Sequence, residues 1–429
     1  MAFVVKTAKT VRTHWKKSTF GAVCFYYGAC YTKNYIETQN LMRVYCEKAA
    51  RYGREPIPIN VNPRSITVVL NPNANKRGAS DDFNKYCAPL LHLAGILVEV
   101  VKTESEGHAR ELMDGIINTD AIVVAGGDGT LSEVVTGLLR RTQENTNELV
   151  PIGVLPLGKT NSVAKSLFPV GAKAENIRCI VDATIAVIEE VVKPVDVMKI
   201  EVFEKETGNI VGKPVYALNS IKWGAFRDAE VKKENYWYFG KLQKYTTYLF
   251  NGYKNSLSWN CAAQVNYSIP CEGCSNCVQI HEDKNSKKWY QKLKKEVHPK
   301  AKYLSINNPA CQEVHEKQIA TSDFSLLTSN SIPSSISQKP GIPKLEIKIG
   351  PENPEYIDFV RQGWLYEKGE TKEVKEVIEA KTIQINPEVV SKEEKEYWFS
   401  IDNENYEVKP IKITLLPKVI NMFCTKEAV

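Results

Sequence analysis

The segment AIVVAGGDGTLSEVV, residues 121–135, carries the strongest structural signal in the first half of the chain. It begins with an apolar run that is typical of a strand buried on both faces of a parallel sheet. TLSEVV continues into TGLLRR and predicts a helix. The glycines between them permit positive φ and let the backbone approach a bulky anion closely. A strand, a glycine turn and a helix N-terminus in this order predict a phosphate-binding loop.

Strands and helices alternate on both sides of this segment, from about Ile66 to about Glu190. ITVVLN, LVEVVKT and PIGVLPLG predict further buried strands, and FNKYCAPLLHLAGI, HARELMDGII and NSVAKSLF predict helices. This order predicts an α/β domain with a parallel sheet covered on both faces. We place the domain at residues 63–192, after an N-terminal segment and Pro-containing linker at 1–62.

The pattern changes near Val195, where short strands follow one another without regular helical partners. IKITLL alternates apolar and polar residues, as a strand with one exposed face does. We therefore predict a C-terminal antiparallel β-sandwich domain at residues 193–429. A polar tract at about 255–344, rich in Lys and then Ser, predicts a partly disordered insertion.

The overall composition is that of a soluble globular protein, with 43% hydrophobic and 25% charged residues among 429. A net charge of +6, from 56 basic and 50 acidic residues, argues against nucleic-acid binding through bulk charge. Eleven scattered cysteines do not make a disulfide scaffold.

The N-terminus is basic and free of acidic residues as far as Glu37, and it contains the apolar run FGAVCFYYGACY. Such a leader predicts mitochondrial targeting or membrane anchoring. A secretory signal peptide and a solvated basic tail are the alternatives. No apolar stretch reaches the length of a confident membrane-spanning helix.

Asp128 stands inside the glycine turn, at the carboxyl end of a predicted parallel strand, where ligands bind in such sheets. A carboxylate among phosphates is unfavourable unless it handles a metal or a proton. Asp128 is therefore the candidate catalytic residue of a phosphoryl transfer. The turn is not a Walker A loop because no GK[ST] follows the glycines. The alternative is a tight turn without a ligand.

GGDGT with Glu133 resembles the nucleotide-binding signature of the diacylglycerol kinase catalytic family, which sphingosine and ceramide kinases share. NPNANKRGA, TESEGHARE and PLGKTNSVAKSL resemble three further family loops in the family's order. SIKWGAFRDAE and FSIDNENYE resemble the lipid-site segment and the Asp-Gly-Glu turn. NYWYFGKL, the leader and the closing NYEVKPIKITLLPKVINMFC are similar to the mitochondrial branch that phosphorylates acylglycerols.

The resemblance implies transfer of the ATP γ-phosphoryl to mono- and diacylglycerol, with Mg²⁺ as cofactor, giving lysophosphatidic and phosphatidic acid. It places the nucleotide in an interdomain cleft, Asp128 as general base and Asp228 at the lipid head group. A solvated loop carboxylate is the alternative for Asp228. The nucleotide contacts that it implies are Asn71, Asn73, Thr103, Gly126, Gly127, Gly129, Thr130, Glu133, Gly158, Thr160, Asn161 and Glu404.

The resemblance also implies a location at the mitochondrial inner membrane, facing the intermembrane space. The implied partners are acylglycerol lipids, the membrane surface and subunits of the inner-membrane carrier translocase, with no nucleic acid. A mainly non-catalytic role in that assembly is the alternative to an active kinase. NAD kinase is a more distant alternative, which the lipid-kinase segments disfavour.

The chain departs from the family's usual pattern at three loops. Asn75 and Lys76 stand where glycines are frequent, and Asn403 replaces the glycine of the Asp-Gly-Glu turn. Lys159 replaces a Thr and Ser162 replaces an Asp. These changes leave the nucleotide contacts less certain than the catalytic aspartate.

Cys271, Cys274 and Cys277 form two overlapping CxxC units, with His281 nearby. Four such donors could bind zinc or part of an iron–sulfur cluster. A disulfide, redox-active thiols and no specific role are the alternatives.

Overall fold

A computed structural model describes residues 13–142, 149–168, 176–254, 261–271, 273–276, 305–331, 342–388 and 398–428. Within these ranges, sixteen strands form a ten-stranded and a six-stranded sheet. The strands are β1 Ser65–Leu70, β2 Leu97–Lys102, β3 Ala121–Gly126, β4 Ile152–Pro156, β5 Val192–Phe203, β6 Ile210–Ala217, β7 Ser220–Gly224, β8 Cys261–Ser268, β9 Val314–Thr321, β10 Asp323–Thr328, β11 Leu345–Ile349, β12 Glu376–Ala380, β13 Thr382–Pro387, β14 Trp398–Ile401, β15 Glu404–Glu407 and β16 Ile411–Phe423.

The helices lie mainly in the first half of the chain, and short 3₁₀ and π segments complete them. The α-helices are α1 Trp15–Gly53, α2 Ala74–Arg77, α3 Ala79–Asp82, α4 Ala88–Leu93, α5 His108–Leu112, α6 Asp128–Thr142, α7 Ser162–Leu167, α8 Asn176–Glu189, α9 Ala225–Val231, α10 Gln243–Lys254 and α11 Tyr356–Glu367. A π-helical turn, Phe83–Cys87, joins α3 to α4, and 3₁₀ segments lie at Lys232–Leu242, Pro309–Gln312, Ser329–Ser331 and Lys426–Ala428.

The first half of the chain folds around the parallel strands β2-β1-β3-β4, in this spatial order. All six residues of β3 are buried, because strands lie on both sides of it and helices cover the sheet. This arrangement confirms the predicted α/β architecture. It also brings the carboxyl ends of the four strands to one edge, where the glycine turn lies.

The second half is a β-sandwich, as predicted. The six-stranded sheet has the order β12-β11-β10-β7-β14-β15, and all its pairs are antiparallel. It packs against the antiparallel part of the ten-stranded sheet. The core between them contains Ile221, Trp223 and Phe324 from one sheet and Ile383 and Ile413 from the other.

Strand β16 joins the two halves. Most of its length pairs with β5 and β13 in the sandwich, and Met422 near its end pairs in parallel with Ile152 of β4. Its last residues, including Met422 and Phe423, are buried in the core of the α/β half. The ten-stranded sheet therefore runs through both halves of the molecule.

Helix α1 is 39 residues long and divides into two parts. The part that contains the predicted apolar run is exposed, with Phe25 79% accessible. From Leu41 onward the helix packs on the α/β core, where Ala49 is completely buried. The predicted N-terminal segment therefore includes helical turns that pack on the folded α/β half. No helix among the described residues combines the length and apolarity needed to cross a membrane.

The tract at about 255–344 is not simply an insertion, as the sequence predicts, because parts of it belong to the two sheets. Three of its segments are the strands β8, β9 and β10, which pair within the two sheets. Polar residues such as Gln264 and Asn266 alternate with buried ones in β8, so a polar composition hid a half-buried strand. Residues 277–304 and 332–341 of the tract lie outside the described residues.

Candidate active site

The glycine turn is built by close contact between two loops. A Cβ atom on Gly158 would lie 2.2 Å from Gly127 Cα, and one on Gly127 would lie 2.9 Å from Thr160 O. Asp128 N donates to Thr160 O at 2.9 Å, which ties the turn to the β4–α7 loop. Gly126, Gly127 and Gly129 do not lie in the left-handed region. Glycine is required here for close approach and not, as also expected, for positive φ.

Loops from neighbouring strands meet at the same edge. Asn71, directly after β1, donates from Nδ2 to Thr130 Oγ1 at 3.0 Å and accepts from Asn73 N at 3.0 Å. Thr103, directly after β2, is buried and bonds through its N–H to Leu70 O at 2.9 Å. Glu133 on α6 accepts from Gly107 N at 2.8 Å and so holds the loop between β2 and α5, which also contains Thr103. The structure thus brings these predicted residues together.

The Asp128 carboxylate is only 3% exposed and is held by hydrogen bonds from both halves of the protein. Its Oδ2 accepts from Ser162 N at 2.9 Å, Ser162 Oγ at 2.8 Å and Asn403 Nδ2 at 2.9 Å. Its Oδ1 accepts a longer bond from Val163 N at 3.3 Å. The side chain therefore caps α7 and contacts the sandwich, which sequence reasoning did not foresee.

The turn that carries Asn403 is anchored by Asp402. The Asp402 carboxylate accepts N–H groups of Leu218 at 2.6 Å, Asn219 at 3.0 Å and Ser220 at 2.8 Å. Burial raises the pKa of Asp402 to about 6, while these donors act in the opposite direction. These hydrogen bonds fix Asp402 at the start of β7. The next residue, Asn403, is thereby held towards the α/β half, where it bonds Asp128.

The asparagine and lysine that replace family glycines adopt the backbone conformation that glycine favours. Asn403 has φ 69°, Asn75 has φ 49° and Lys76 has φ 56°, all in the left-handed region. At Asn403 the replacement also adds a side-chain amide that donates to Asp128 and, at 3.2 Å, to Ser162 Oγ.

Glu404 places a second carboxylate opposite the start of α6. A Cβ atom on Gly129 would lie 2.4 Å from Glu404 Oε1, so the Glu404 carboxylate lies directly against the backbone of the turn where the two halves meet. Tyr406 OH donates to Glu404 Oε2 at 3.2 Å. Burial, followed by repulsion from Glu133, raises the pKa of Glu404 to about 7. A cation near these carboxylates would relieve that repulsion.

The loop between β4 and α7, which bonds the turn, also carries the basic residue Lys159. Lys159 forms an ion pair with Glu234 of the 3₁₀ segment after α9. Burial lowers the pKa of Lys159, and the charges of Lys233 and Lys76 lower it further. The Lys159 replacement therefore adds positive charge near two other lysines, a cluster that suits a polyphosphate.

Asp228 lies on α9 and is half-buried, not a solvated loop carboxylate. Arg227 donates to Asp228 Oδ1 at 2.8 Å and also bonds Asn405 Oδ1, next to Glu404 in the chain. Asp228 is thus connected through one buried arginine to the turn that contacts Asp128.

The chain is similar to known proteins over both of its halves. The family described as "Diacylglycerol kinase catalytic domain" matches residues 65–200, and "Acylglycerol kinase C-terminal" matches residues 218–429. Mitochondrial acylglycerol kinases are 34% identical in Mus musculus and 35% in Homo sapiens, each over 97% of this chain and 96% of the relative. The Xenopus laevis protein of that name is 33% identical over 99% of this chain and 96% of its own length.

The similarity covers both halves of the chain and confirms the predicted resemblance. It accompanies a fold in which the glycine turn, Asp128 and the second-domain carboxylate meet. The chain therefore belongs to the acylglycerol kinase family of diacylglycerol kinase-like proteins and is an ATP-dependent lipid kinase.

Proposed function

We propose that the chain transfers the γ-phosphoryl of ATP to a free hydroxyl of mono- and diacylglycerol, forming lysophosphatidic and phosphatidic acid. The observation that carries the proposal is the position of Asp128 at the carboxyl edge of the parallel sheet, facing the sandwich turn that carries Asn403 and Glu404. Ligands of open α/β sheets bind at this edge. The names and matched lengths of the relatives favour acylglycerols as acceptors.

The nucleotide would lie in the cleft between the two halves. Gly126, Gly127, Gly129 and Thr130 would approach its phosphates at the N-terminus of α6. Asn161 Oδ1 is buried and has no hydrogen-bond partner among the described residues. It is therefore an acceptor available to a hydroxyl or amino group of the nucleotide, and Gly158 and Thr160 flank it.

The residues on the cleft also fit Mg²⁺. Glu404, with its raised pKa, and Glu133 are hard oxygen donors that repel each other. These two side chains would hold the ion, which supplies neutralisation of phosphate charge in such reactions. Lys159, Lys76 and Lys233 would bind phosphate oxygens.

Asp128 would accept the proton of the attacking hydroxyl through Oδ1. Three donors already occupy Oδ2, whereas Oδ1 accepts one bond, at 3.3 Å. This division fixes the orientation of the carboxylate and leaves one oxygen with an available lone pair. General-base transfer requires such a positioned acceptor.

The lipid would enter from the side of α9, where Asp228 would bind head-group hydroxyls. The segment Lys232–Leu242 follows α9 and exposes Trp237, Tyr238 and Leu242, with Trp237 75% accessible. Aromatic residues beside lysines favour the interface of an anionic bilayer. We propose a mitochondrial inner-membrane location facing the intermembrane space, which the basic leader and the relatives' names support.

An assay with radiolabelled ATP against monoacylglycerol, diacylglycerol, sphingosine, ceramide and NAD tests the proposal. We expect label in the two acylglycerol products only, with activity dependent on Mg²⁺. Preferential labelling of sphingosine, ceramide or NAD would reassign the substrate. Absence of all products from a folded, ATP-binding protein would contradict the kinase assignment.

A second role as a subunit of the inner-membrane carrier translocase is proposed from the resemblance. The observation that favours it is the exposed N-terminal part of α1, which extends from the α/β core and presents Phe20, Phe25 and Tyr31. Native gel electrophoresis of mitochondria expressing Asp128→Asn should show the intact assembly. Loss of the assembly in this variant would tie assembly to catalysis instead.

A further inference from the structure

Three cysteine side chains from two separate loops meet where the long connection between β8 and β9 leaves the paired strands. Cys271 and Cys274 follow β8, and Cys311 lies in the 3₁₀ turn before β9. Their sulfur atoms all lie within 4.8 Å of one another. Cys274 is completely buried and Cys311 is 7% exposed. The CxxC pair predicted from the sequence is therefore completed by Cys311, while Cys277 and His281 lie outside the described residues.

Hydrogen bonds hold the two loops in this arrangement. Ser275 N donates to Ile306 O at 2.9 Å, and Cys311 N donates to Asn308 O at 3.2 Å. The Asn308 side chain donates from Nδ2 to Cys271 Sγ at 3.4 Å. An amide donor to sulfur stabilises a thiolate, and such outer contacts accompany metal-bound cysteines. The cluster is thus positioned by its surroundings.

The spacing of the sulfurs suits a tetrahedral metal ion. Zn–S bonds of about 2.3 Å in a tetrahedron place sulfur atoms roughly 3.8 Å apart. Small shifts of the three side chains would therefore bring their sulfur atoms to the spacing of three ligands of one ion. Thiolates select soft or borderline ions such as Zn²⁺ over the hard Mg²⁺ that accompanies ATP. We propose that Cys271, Cys274 and Cys311 bind one Zn²⁺, with a further ligand in the fourth position.

The proposed ion would be structural. β8 and β9 pair from Cys261↔Thr321 to Ser268↔Val314, and the cluster lies directly beyond the last pair. A metal there would join the two ends of the long connection between the strands. Bringing the ends of a long connection together costs conformational entropy, and the bound ion would offset part of that cost. β8 is separated from β3 by β4, β16 and β13 in the sheet. The site is therefore remote from Asp128 and independent of the proposed function.

Zinc content and thermal stability test the proposal in the full chain, purified under reducing conditions with zinc present. We expect about one zinc per chain by mass spectrometry. Cys311→Ser should lose most of it and melt several degrees lower, since an ion bound only to the native state stabilises that state. Cys261→Ser is the matched control. Cys261 is also buried but lies inside β8, outside the cluster, so its zinc content should equal that of the parent.

Alkylation keeps the test decisive if Cys311→Ser fails to fold. Zinc should protect Cys271, Cys274 and Cys311 of the unmodified chain from iodoacetamide, and removal of zinc by a chelator should expose them. A reduced chain that takes up no zinc, or equal labelling of the three cysteines with and without zinc, would overturn the proposal. A chain purified without reductant could instead hold a disulfide among the three cysteines and no metal. If that chain still binds no zinc after its disulfide is reduced, the proposal is overturned as well.

Discussion

At the scale of single residues, the site is organised around the Asp128 carboxylate. Ser162 donates to it from the α/β half and Asn403 donates to it from the sandwich. Both donors stand at positions where the chain departs from the family's usual residues. The two departures are 241 residues apart in the sequence, yet Asn403 Nδ2 lies 3.2 Å from Ser162 Oγ. They therefore act on one carboxylate and should be interpreted together.

Replacing Asp128 with Asn should reduce turnover by roughly 10² or more, because an amide cannot accept the substrate proton. The nucleotide affinity should change little, since the glycine turn is retained. Steady-state kinetics with calorimetric titration of ATP would measure both. Turnover within a few-fold of the parent would remove Asp128 from catalysis. If the variant instead lost both thermal stability and ATP binding, Asp128 would be assigned only a structural role in capping α7.

Replacing Asn403 with Gly should test positioning without backbone strain, because glycine readily adopts the φ of 69° found there. The variant loses only the amide that bonds Asp128 and Ser162. We expect kcat to fall by about tenfold while KM for ATP stays within a few-fold, as for an interaction that matters in the transition state. Asn403→Ala is the companion variant and should also lose stability through its strained φ. An unchanged kcat in Asn403→Gly would show that the bond does not position the base.

The raised pKa of Glu404 makes stability depend on pH in the nucleotide-free protein. The folded-state pKa of about 7 exceeds the ordinary value of 4.5. The stabilising contribution of protonation is therefore complete below pH 4.5 and is lost as pH rises through 7. Glu404→Gln should melt higher than the parent at pH 8 and equally at pH 4.5. Melting curves at the two pH values would measure this, and a difference that is equal at both would refute the assigned pKa.

Among the secondary-structure elements, helix α1 has two parts. The first part belongs to the leader that is predicted to direct the protein to mitochondria, and the second part packs on the α/β core. The described residues of α1 up to Ile36 are largely exposed. Further along the helix, Tyr45 bonds Asp182, Tyr52 bonds Glu189 at 3.2 Å and Ala49 is buried. A Cβ atom on Gly53 would lie 2.1 Å from Leu93 O, so the helix ends in close contact with the α/β half. The second part of α1 thus belongs to the folded domain.

Deleting residues 1–36 should leave a folded enzyme that phosphorylates acylglycerol in detergent micelles at a rate within a few-fold of the parent. In cells the truncated protein should lose its mitochondrial location. Deleting residues 1–53 is the comparison, and it should lower the melting temperature because buried contacts are lost. Unchanged mitochondrial distribution after the shorter deletion would refute targeting by the leader. An inactive shorter variant in micelles would show that the leader belongs to the catalytic fold.

At the scale of the whole molecule, the two halves share one sheet. The end of β16 fills the α/β core although it is the last strand of the sandwich. The two halves are also joined across α6, because Ser132 and Thr136 each donate to Tyr216 O, at 3.2 and 3.3 Å. The cleft residues are therefore placed by a continuous frame, and damage to β16 should affect both cores.

Met422→Asp should destabilise the protein severely, whereas Asn421→Asp should be nearly neutral. Met422 is completely buried in the core of the α/β half, and Asn421, its neighbour on β16, is exposed. Removing a buried Met side chain and burying an unpaired charge should together cost more than about 4 kcal/mol, a large part of typical stability. Chemical denaturation would compare the pair. Equal stability of the two variants would place the end of β16 outside the core.

Many local elements and the family can be inferred from the order of the amino acids alone. Continuous apolar runs define β1, β3 and β4, and the glycine turn with Asp128 is a contiguous motif whose chemistry can be interpreted without a structure. The predicted α/β and sandwich architectures follow from the change of periodicity near Val195. These features are encoded by neighbouring residues, so pattern reasoning can detect them.

The way in which distant segments meet can be seen only in the folded chain. The bond from Asn403 to Asp128 spans 275 residues, and Cys311 joins Cys271 and Cys274 from across a long connection. β8 was missed because its exposed face is polar, and its place in the sheet depends on pairing with β13 and β9. Such contacts depend on how the sheets pack, which local periodicity does not encode, because the free energy that selects them comes from burial between remote parts of the chain.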